Sequence, residues 1–310
     1  MRLGIGSRGS QLALWQAHHV SERLRACGHE VRIEVIRTTG DKISQTSLVR
    51  SVGKGVFTKE IEEALAAKRV DLAVHSLKDL PTEVSDEFEI TAVAEREDPR
   101  DALCSTKYVS LEELPQGARV GTSSLRRQSQ LKALRADLAV EPVRGNVDTR
   151  LAKLASGEFD ALVLAVAGIR RLGRTEWLRQ VLPVQVMCPA AGQGALAIEV
   201  RKDDRQLADA LAFLNDPVAR LETDCERALL KELGGGCQVP IGAHARWRDG
   251  RLELEAVVVD PEGTVLLRES RSGEDPLELG RLAAENLLRR GGAAILDQVY
   301  GRQVSVPDEP

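Results

Sequence analysis

One cysteine lies in a glycine-rich stretch, which reads Gly-Gly-Gly-Cys-Gln-Val-Pro-Ile-Gly from residue 234 to 242. The helical pattern of Glu222 to Leu233 ends just before it, so the stretch is predicted to be a loop that leaves a helix. Such a loop can hold the thiol of Cys237 out into a cavity, where a thiolate serves as a nucleophile or a point of attachment. The alternative is a tight turn whose cysteine fills a small apolar gap, as free cysteines usually do.

Arginines recur where helices are predicted to begin. The chain has 43 Lys and Arg residues, of which 33 are Arg. Arg8 follows the predicted strand Arg2 to Gly6, and Arg126 and Arg127 follow the turn 121–124 in the same way. Helix N-termini favour anions, and guanidinium groups bind carboxylate or phosphate through two parallel hydrogen bonds. The pattern predicts binding of an acidic small molecule, although a GC-rich genome would also enrich arginine.

A carboxylate is predicted at the end of a buried strand. Asp71 to Val74 has the apolar composition of such a strand, and it is followed by His-Ser-Leu-Lys-Asp-Leu-Pro at 75–81. Open α/β sheets bind ligands beyond the carboxyl ends of their strands, so Ser76, Lys78 and Asp79 stand where chemistry is expected. The alternative is that Asp79 and Pro81 only form a turn.

The elements that carry these residues predict an α/β protein. Strands alternate with helices of 10 to 15 residues over most of the chain, which predicts mostly parallel sheets and a second unit that repeats the first. Asp249-Gly250 between two alternating segments predicts a hairpin, so the last part should be α+β with an antiparallel sheet. The polar stretch Ser44 to Gly55 is a candidate lid over the site.

Composition argues against several classes of protein. The net charge is −4 and aromatic residues make up 3%, which makes nucleic acid a poor partner. No apolar run is long enough to span a membrane, and no export signal is recognised, so a cytoplasmic location is expected. Five cysteines without a CxxC pair argue against a disulfide framework and a zinc site, and no other metal motif occurs.

Seven blocks of the sequence, taken together and in order, resemble the porphobilinogen deaminase family. They extend over nearly the whole chain and are 6–8 with 12–17, 53–60, 73–81, 121–127, 144–147, 193–196 and 234–237. The resemblance implies a transferase of tetrapyrrole biosynthesis, also called hydroxymethylbilane synthase. Such an enzyme joins four porphobilinogen units head to tail with loss of ammonia, and frees hydroxymethylbilane by hydrolysis.

The resemblance also implies the cofactor and the architecture. The cofactor is dipyrromethane, bound by a thioether to the loop cysteine, here Cys237. Two periplasmic-binding-protein-like α/β domains should flank a cleft, with a smaller α+β domain carrying the cysteine loop. The expected bounds are 1–96 with 195–215 for the first domain, 97–194 for the second and 216–310 for the third. Porphobilinogen is the expected small-molecule partner, with no nucleic acid or membrane partner, and the protein is expected to be a monomer.

Roles carry over from the family onto matching positions. Asp79 is the expected catalytic residue, because a fixed carboxylate can stabilise the positive charge left when ammonia departs. Residues expected to hold the cofactor besides Cys237 are Lys78, Asp79, Thr122, Ser123, Ser124, Arg126, Arg127, Arg144 and Gly145. Residues expected to bind substrate are Arg8, Ser10, Ser76, Arg144, Arg150, Arg171 and Gln193.

Two other classes of protein compete with this interpretation. A non-catalytic binding protein could use the same arginines to hold a polycarboxylate, although the cysteine in its glycine loop would then lack a role. A thiol-dependent redox enzyme would need a second, resolving cysteine, and the nearest candidate is Cys225, twelve residues earlier on the preceding helix.

Overall fold

The computed structural model describes residues 1–39, 58–236 and 239–301 of the chain. The predicted lid, Ser44 to Gly55, and the predicted attachment residue, Cys237, lie outside the described residues. The chain forms two compact units, Met1–Glu97 with Gly194–Arg220 (unit 1) and Asp98–Gln193 with Leu221–Pro310 (unit 2).

Strands and helices alternate along the described chain, and we number them separately from the N-terminus. The strands are β1 (Arg2–Ser7), β2 (Glu30–Val35), β3 (Leu72–Ser76), β4 (Phe88–Val93), β5 (Asp101–Cys104), β6 (Arg119–Gly121), β7 (Ala139–Glu141), β8 (Ala161–Ala165), β9 (Leu178–Val181), β10 (Leu196–Arg201), β11 (Ile241–Arg248), β12 (Arg251–Val259) and β13 (Leu266–Gly273). The α-helices are α1 (Gln11–Ala26), α2 (Lys59–Ala66), α3 (Leu125–Leu134), α4 (Val147–Ala155), α5 (Val166–Arg171), α6 (Arg205–Leu211), α7 (Pro217–Glu232), α8 (Pro276–Leu287) and α9 (Ala293–Tyr300).

Unit 1 is built on a five-stranded sheet in the order β2-β1-β3-β10-β4. β1 is parallel to β2 and β3, whereas β10 is antiparallel to β3 and β4, so four of the five strands point the same way. On α1, the buried residues Ala17, Val20 and Leu24 repeat at helical spacing and pack with the sheet residues Leu3, Ile5 and others into one core. The sheet is mostly parallel, as the sequence predicts.

Unit 2 repeats this arrangement in its first sheet. The strand order is β7-β6-β8-β5-β9, β6 is parallel to β7 and β8, and β5 is antiparallel to β8 and β9. The two sheets therefore share one topology. In each, the fourth strand in the order, β10 or β5, is antiparallel to both of its neighbours. The predicted α/β fold class with a repeated unit is confirmed.

The second sheet of unit 2 is a three-stranded antiparallel sheet in the order β11-β12-β13, packed with α8. Asp249 and Gly250 join β11 and β12 with φ angles of 49° and 82°, as a two-residue hairpin turn requires. β13 begins at Leu266, because the Asp260 carboxylate accepts hydrogen bonds from Val265 N at 2.7 Å and Thr264 Oγ1 at 3.0 Å. These bonds hold both residues in the turn. The smaller α+β part is confirmed.

Three strands are absent from the prediction: β4, β5 and β9. β5 has four residues, all of them buried, including an aspartate at its start, so its sequence lacks the alternation that marks a strand. The last helical segment is divided into α8 and α9, since Gly291 between them has a φ of 108°.

Candidate active site

The ends of two neighbouring parallel strands form a pocket in unit 1. Arg8 follows β1 and Ser76 ends β3, and because these strands are parallel and adjacent, their carboxyl ends meet at one edge of the sheet. The pocket has a volume of about 450 Å³, part of it open to solvent. Its described lining is Arg8, Ser10, Leu12, Ala13, Gln16, Thr58, Ile61, Val74, His75, Ser76 and Asp79.

Local hydrogen bonds fix the polar residues of this pocket. Ser10 is the N-cap of α1, and its Oγ accepts a bond from Ala13 N at 3.2 Å. Gln16, whose side chain is buried, donates from Nε2 to Ser76 Oγ at 2.8 Å. The Ser76 hydroxyl and the N-terminus of α1 therefore lie in the same pocket as Arg8. Together they are suited to bind a carboxylate.

Asp79 lies on a short 3-10 turn, Leu77–Asp79, directly after β3. Leu77 is buried, and its N–H donates to Ala195 O at 3.0 Å, so the turn is fixed to the strand segment beside it. Lys78 and Asp79 are half-buried on this turn, and Asp79 lines the pocket whereas Lys78 does not. The carboxylate therefore stands in a defined position and is reachable by a ligand.

A buried histidine lines the pocket and is paired with a buried glutamate behind it. His75 Nε2 lies 2.9 Å from Glu199 Oε2, and the side chains are 6% and 0% exposed. Burial raises the pKa of the nearby Glu62, and the charge of Glu199 raises it further. Sequence reasoning gave these residues no role, although a histidine directly before the predicted catalytic turn was a usable signal.

In unit 2, the predicted carboxylate binders Arg126 and Arg127 are joined by an aspartate. Arg126 Nη1 lies 2.7 Å from Asp101 Oδ2, and Arg127 Nη2 lies 2.7 Å from Asp101 Oδ1. Gln193 Nε2 donates to the same Oδ1 at 2.8 Å and to Pro99 O at 2.6 Å. All four side chains are buried. We call these four residues the Asp101 cluster.

Electrostatics keep Asp101 ionised. Burial by itself would raise the pKa of Asp101, but the charges and hydrogen bonds of Arg126 and Arg127 outweigh it and hold that pKa well below its ordinary value of 3.8. Burial lowers the pKa of Arg126, while Asp101 raises it. Two cations and one anion leave the Asp101 cluster with one excess positive charge inside the protein.

The turn before α3 carries the predicted hydroxyl groups. Thr122 is buried and accepts a bond from Ser124 N at 3.3 Å on Oγ1, while Ser123 Oγ donates to Val143 O at 2.6 Å. Ser124 is the N-cap of α3 and makes no side-chain capping bond. The first N–H groups of this ten-residue helix therefore lie beside the Asp101 cluster as a further attraction for anions.

A second group of predicted residues follows β7 and β8. Arg144 is exposed, and Arg150 on α4 donates from Nε to Gly145 O at 2.9 Å. Gly145 has a φ of 107°, and a Cβ there would lie 2.6 Å from Thr149 Cγ2, so this position requires glycine. Arg171 is half-buried at the end of α5.

The structure thus brings the predicted residues together in two places. Arg8, Ser10, Ser76 and Asp79 share the pocket of unit 1. Arg126, Arg127 and Gln193 gather around Asp101 in unit 2, and Thr122 and Ser124 lie on the turn directly before α3. Asp101 was missed by sequence reasoning, and the only signal for it was a charged residue opening an apolar segment.

The described cysteines are free thiols, of which Cys27 is exposed. Burial raises the pKa of each of the other three to about 12, so their thiolates are scarce near neutral pH; these are Cys104, Cys188 and Cys225. A resolving role for Cys225 in a redox enzyme is therefore disfavoured.

No group of three or more His, Cys, Asp and Glu residues in the described ranges could hold a metal ion. Among the described helices, none has the length and apolar character to cross a membrane.

Two family models match the chain, one described as "Porphobilinogen deaminase, dipyromethane cofactor binding domain" over residues 3–209, the other as "Porphobilinogen deaminase, C-terminal domain" over residues 220–289. The chain belongs to the porphobilinogen deaminase family. It is thereby a transferase of porphyrin biosynthesis, in the family of hydroxymethylbilane synthases, and its cofactor is dipyrromethane. The resemblance stated from the sequence is confirmed.

Curated relatives agree over nearly the full length. The chain is 49% identical to a porphobilinogen deaminase of Thiobacillus denitrificans, over 95% of this chain and 98% of the relative. It is 50% identical to one of Chromobacterium violaceum, over 96% and 98% of the two chains. One of Maridesulfovibrio salexigens is 47% identical, over 97% and 99%.

Among solved structures, a putative methionine-binding lipoprotein of Bacillus subtilis matches 69% of this chain and 89% of its own, with a TM-score of 0.44 and 16% identity. A periplasmic substrate-binding protein of an ABC transporter from Coxiella burnetii matches 70% of this chain and 94% of its own, with a TM-score of 0.44 and 15% identity.

The described residues fit a dipyrromethane group by their chemistry. The group carries several carboxylates, and the Asp101 cluster supplies buried guanidinium groups with an excess positive charge beside a helix N-terminus. Arginine stays charged when buried and binds carboxylates through two bonds, whereas a lysine in this setting would tend to lose its proton.

Proposed function

We propose that this chain joins four porphobilinogen molecules head to tail, with loss of one ammonia for each, and releases hydroxymethylbilane by hydrolysis. The observation that carries the proposal is the placement of Asp79, Arg8 and Ser76 in one pocket, on a chain that matches the family over almost its whole length. Asp79 supplies a carboxylate where positive charge develops, and the other two supply donors for a substrate carboxylate.

We propose that Cys237 holds the dipyrromethane cofactor through a thioether. When bound, the cofactor provides the pyrrole end to which substrate units are added. Arg126, Arg127 and the turn 122–124 would bind its carboxylates, supported by the excess positive charge of the Asp101 cluster. Lys78, Arg144 and Gly145 would complete this set, as the family motif implies.

Substrate binding follows the same logic. Each porphobilinogen brings an acetate and a propionate, so every addition requires cations that keep their charge. In the pocket of unit 1, Arg8 supplies such a cation and Ser10 a hydroxyl donor. We assign carboxylate binding in unit 2 to Arg144, Arg150 and Arg171. Charge-assisted hydrogen bonds are worth about 1.5–3 kcal/mol each, so several together retain a growing acidic chain. Gln193, proposed as a substrate ligand, donates its amide hydrogens to Asp101 and Pro99, and would act by keeping Asp101 in place.

Asp79 is proposed as the catalytic carboxylate. Departure of ammonia leaves an electron-poor azafulvene that is positive when protonated, and a fixed carboxylate stabilises that charge without reorganising. We expect Asp79→Ala to bind porphobilinogen with similar affinity and to lower kcat by about 10²- to 10³-fold, the usual effect of removing one such group. Asp86→Ala, an exposed aspartate of the same unit, is the matched control. Near-normal turnover of Asp79→Ala would disprove the role.

Covalent attachment is tested by the intact mass of denatured protein and peptide mapping around residue 237. The expected addition equals two linked porphobilinogen-derived pyrroles on Cys237, absent in Cys237→Ser and retained in Cys27→Ser. A bare Cys237 thiol that persists after incubation with porphobilinogen would contradict the proposal and favour a binding protein.

The division into three domains, with bounds 1–96 plus 195–215, 97–194 and 216–310, is part of the proposal, as are a monomeric state and a cytoplasmic location. The free thiols of the four described cysteines support a reducing compartment. Light scattering coupled to size exclusion measures the mass in solution, and a dimer mass would refute the monomer. Limited proteolysis should cut near 96 and 215.

A further inference from the structure

The proposed reaction needs proton transfer, and the pocket wall contains a pair suited to it. β3 and β10 are antiparallel, with His75 opposite Ala197 and Ala73 opposite Glu199. His75 and Glu199 are therefore diagonal neighbours on one face of the sheet, which explains the 2.9 Å separation of Nε2 and Oε2. His75 also lines the pocket, whereas Glu199 lies behind it.

Glu199 depends on His75 for compensation of its charge. Its side chain is 0% exposed, and Oε1 has no hydrogen-bond partner among the described residues. A carboxylate so buried is costly unless a cation or a proton accompanies it. Glu62 on α2 faces the pair with a further negative charge, while Arg8 and Asp79 share the pocket. The His75 ring, 2.9 Å from Oε2, is the polar partner that accompanies this buried carboxylate.

We propose that His75 is a proton donor of the pocket and that Glu199 is its positioning residue. The inference rests on the proposed function, since it assigns the pocket to porphobilinogen. Glu199 fixes the ring through Nε2 and stabilises the imidazolium from behind, as a buried carboxylate does in other histidine-based sites.

The step balances without any further reactant. The carbon–nitrogen bond of the aminomethyl group breaks with its electron pair going to nitrogen. For substrate bound as the free amine, His75 gives the proton that completes ammonia. A carbon–carbon bond then forms between the methylene carbon and a ring carbon of the growing chain, and the proton displaced from that ring carbon returns to the imidazole. His75 ends each addition as it began.

The first test compares two leaving groups in His75→Gln. An amine can also leave as an ammonium group that already carries its third hydrogen, whereas the hydroxyl of the hydroxymethyl analogue of porphobilinogen must gain a proton before it leaves as water. We expect His75→Gln to lower kcat for porphobilinogen by about 10²-fold, within the usual range for proton transfer, with KM little changed. The loss should be at least about tenfold larger for the hydroxymethyl analogue. His18→Gln, on an exposed part of α1, is the control.

An equal loss for both substrates, or no loss, would overturn the proposal, because a residue that only shapes the pocket does not distinguish leaving groups. If His75→Gln fails to fold or to load cofactor, the isosteric Glu199→Gln takes its place. Glu199→Gln should also lower kcat, and the loss should again be larger for the hydroxymethyl analogue than for porphobilinogen.

A second readout does not depend on activity. In cofactor-loaded protein with ¹⁵N-labelled histidine and no added substrate, the His75 ring should carry protons on both nitrogens at the assay pH, and on one nitrogen in Glu199→Gln. A neutral His75 ring in the unsubstituted protein would overturn the proposal. Failure of the unsubstituted enzyme to form hydroxymethylbilane would instead refute the proposed function, which keeps the two failures distinct.

Discussion

Removing the negative charge of Asp101 should destabilise unit 2 strongly. Asp101→Asn keeps the shape of the side chain but leaves Arg126 and Arg127 without their counter-ion, and both guanidinium groups are less than 10% exposed. Each arginine lies 2.7 Å from a different Asp101 oxygen, and the new amide replaces one of these oxygens by an NH2 group, whose donors then face the donors of one arginine. Breaking a buried ion pair by removing one partner costs about 3–5 kcal/mol, and we expect a loss in this range.

The assay is urea unfolding at pH 7, followed by far-UV circular dichroism, with the m-value compared between variants. Asp137→Asn is the matched control, since Asp137 also lies 2.7 Å from an arginine, Arg135, but that pair is partly open to solvent. Exposed pairs contribute little, so this variant should lose far less stability than Asp101→Asn. Equal losses would refute the argument that burial makes the Asp101 pair decisive.

A second check is how the difference in unfolding free energy between the unsubstituted protein and Asp101→Asn depends on pH. The pKa of Asp101 in the folded chain lies below its ordinary value of 3.8, so its contribution to stability is complete above about that pH and is lost on further acidification. The advantage of the unsubstituted protein over Asp101→Asn should therefore be constant at neutral pH and shrink below pH 3.8. A difference that already disappears between pH 7 and pH 5 would contradict the assignment.

Two further predictions concern a glycine and the thiols. Gly145→Ala should lower the free energy of unfolding by about 1–3 kcal/mol, because φ is 107° and the added Cβ would lie 2.6 Å from Thr149 Cγ2. Gly157→Ala, at φ 79° with open space around it, should lose less, and an equal loss in chemical denaturation would exclude the steric cause. At pH 8, iodoacetamide should label Cys27 in the folded protein and the buried thiols only after unfolding, as followed by mass spectrometry. Rapid labelling of any buried thiol would contradict the burial and raised pKa values of Cys104, Cys188 and Cys225.

Much of the fold is predictable because its signals are local. The Ser10 cap and the apolar spacing of α1 specify a helix start and a buried face within one segment. The Asp249-Gly250 turn specifies its hairpin in the same way. β5 and β9 escape prediction because such short segments become strands only through their neighbours in the sheet.

The sequence by itself determined the family, the α/β class, and the residue types at the site, because motifs and cap residues act over a few positions. Only the tertiary structure decided which charges meet. The two arginine partners of Asp101 lie 25 and 26 residues further along the chain, and Glu199 lies 124 residues from His75. Packing of distant strands and helices brings these groups within hydrogen-bond distance. The arginines expected to face a ligand are in addition tied to a buried aspartate, since charges taken out of water require a partner inside the protein.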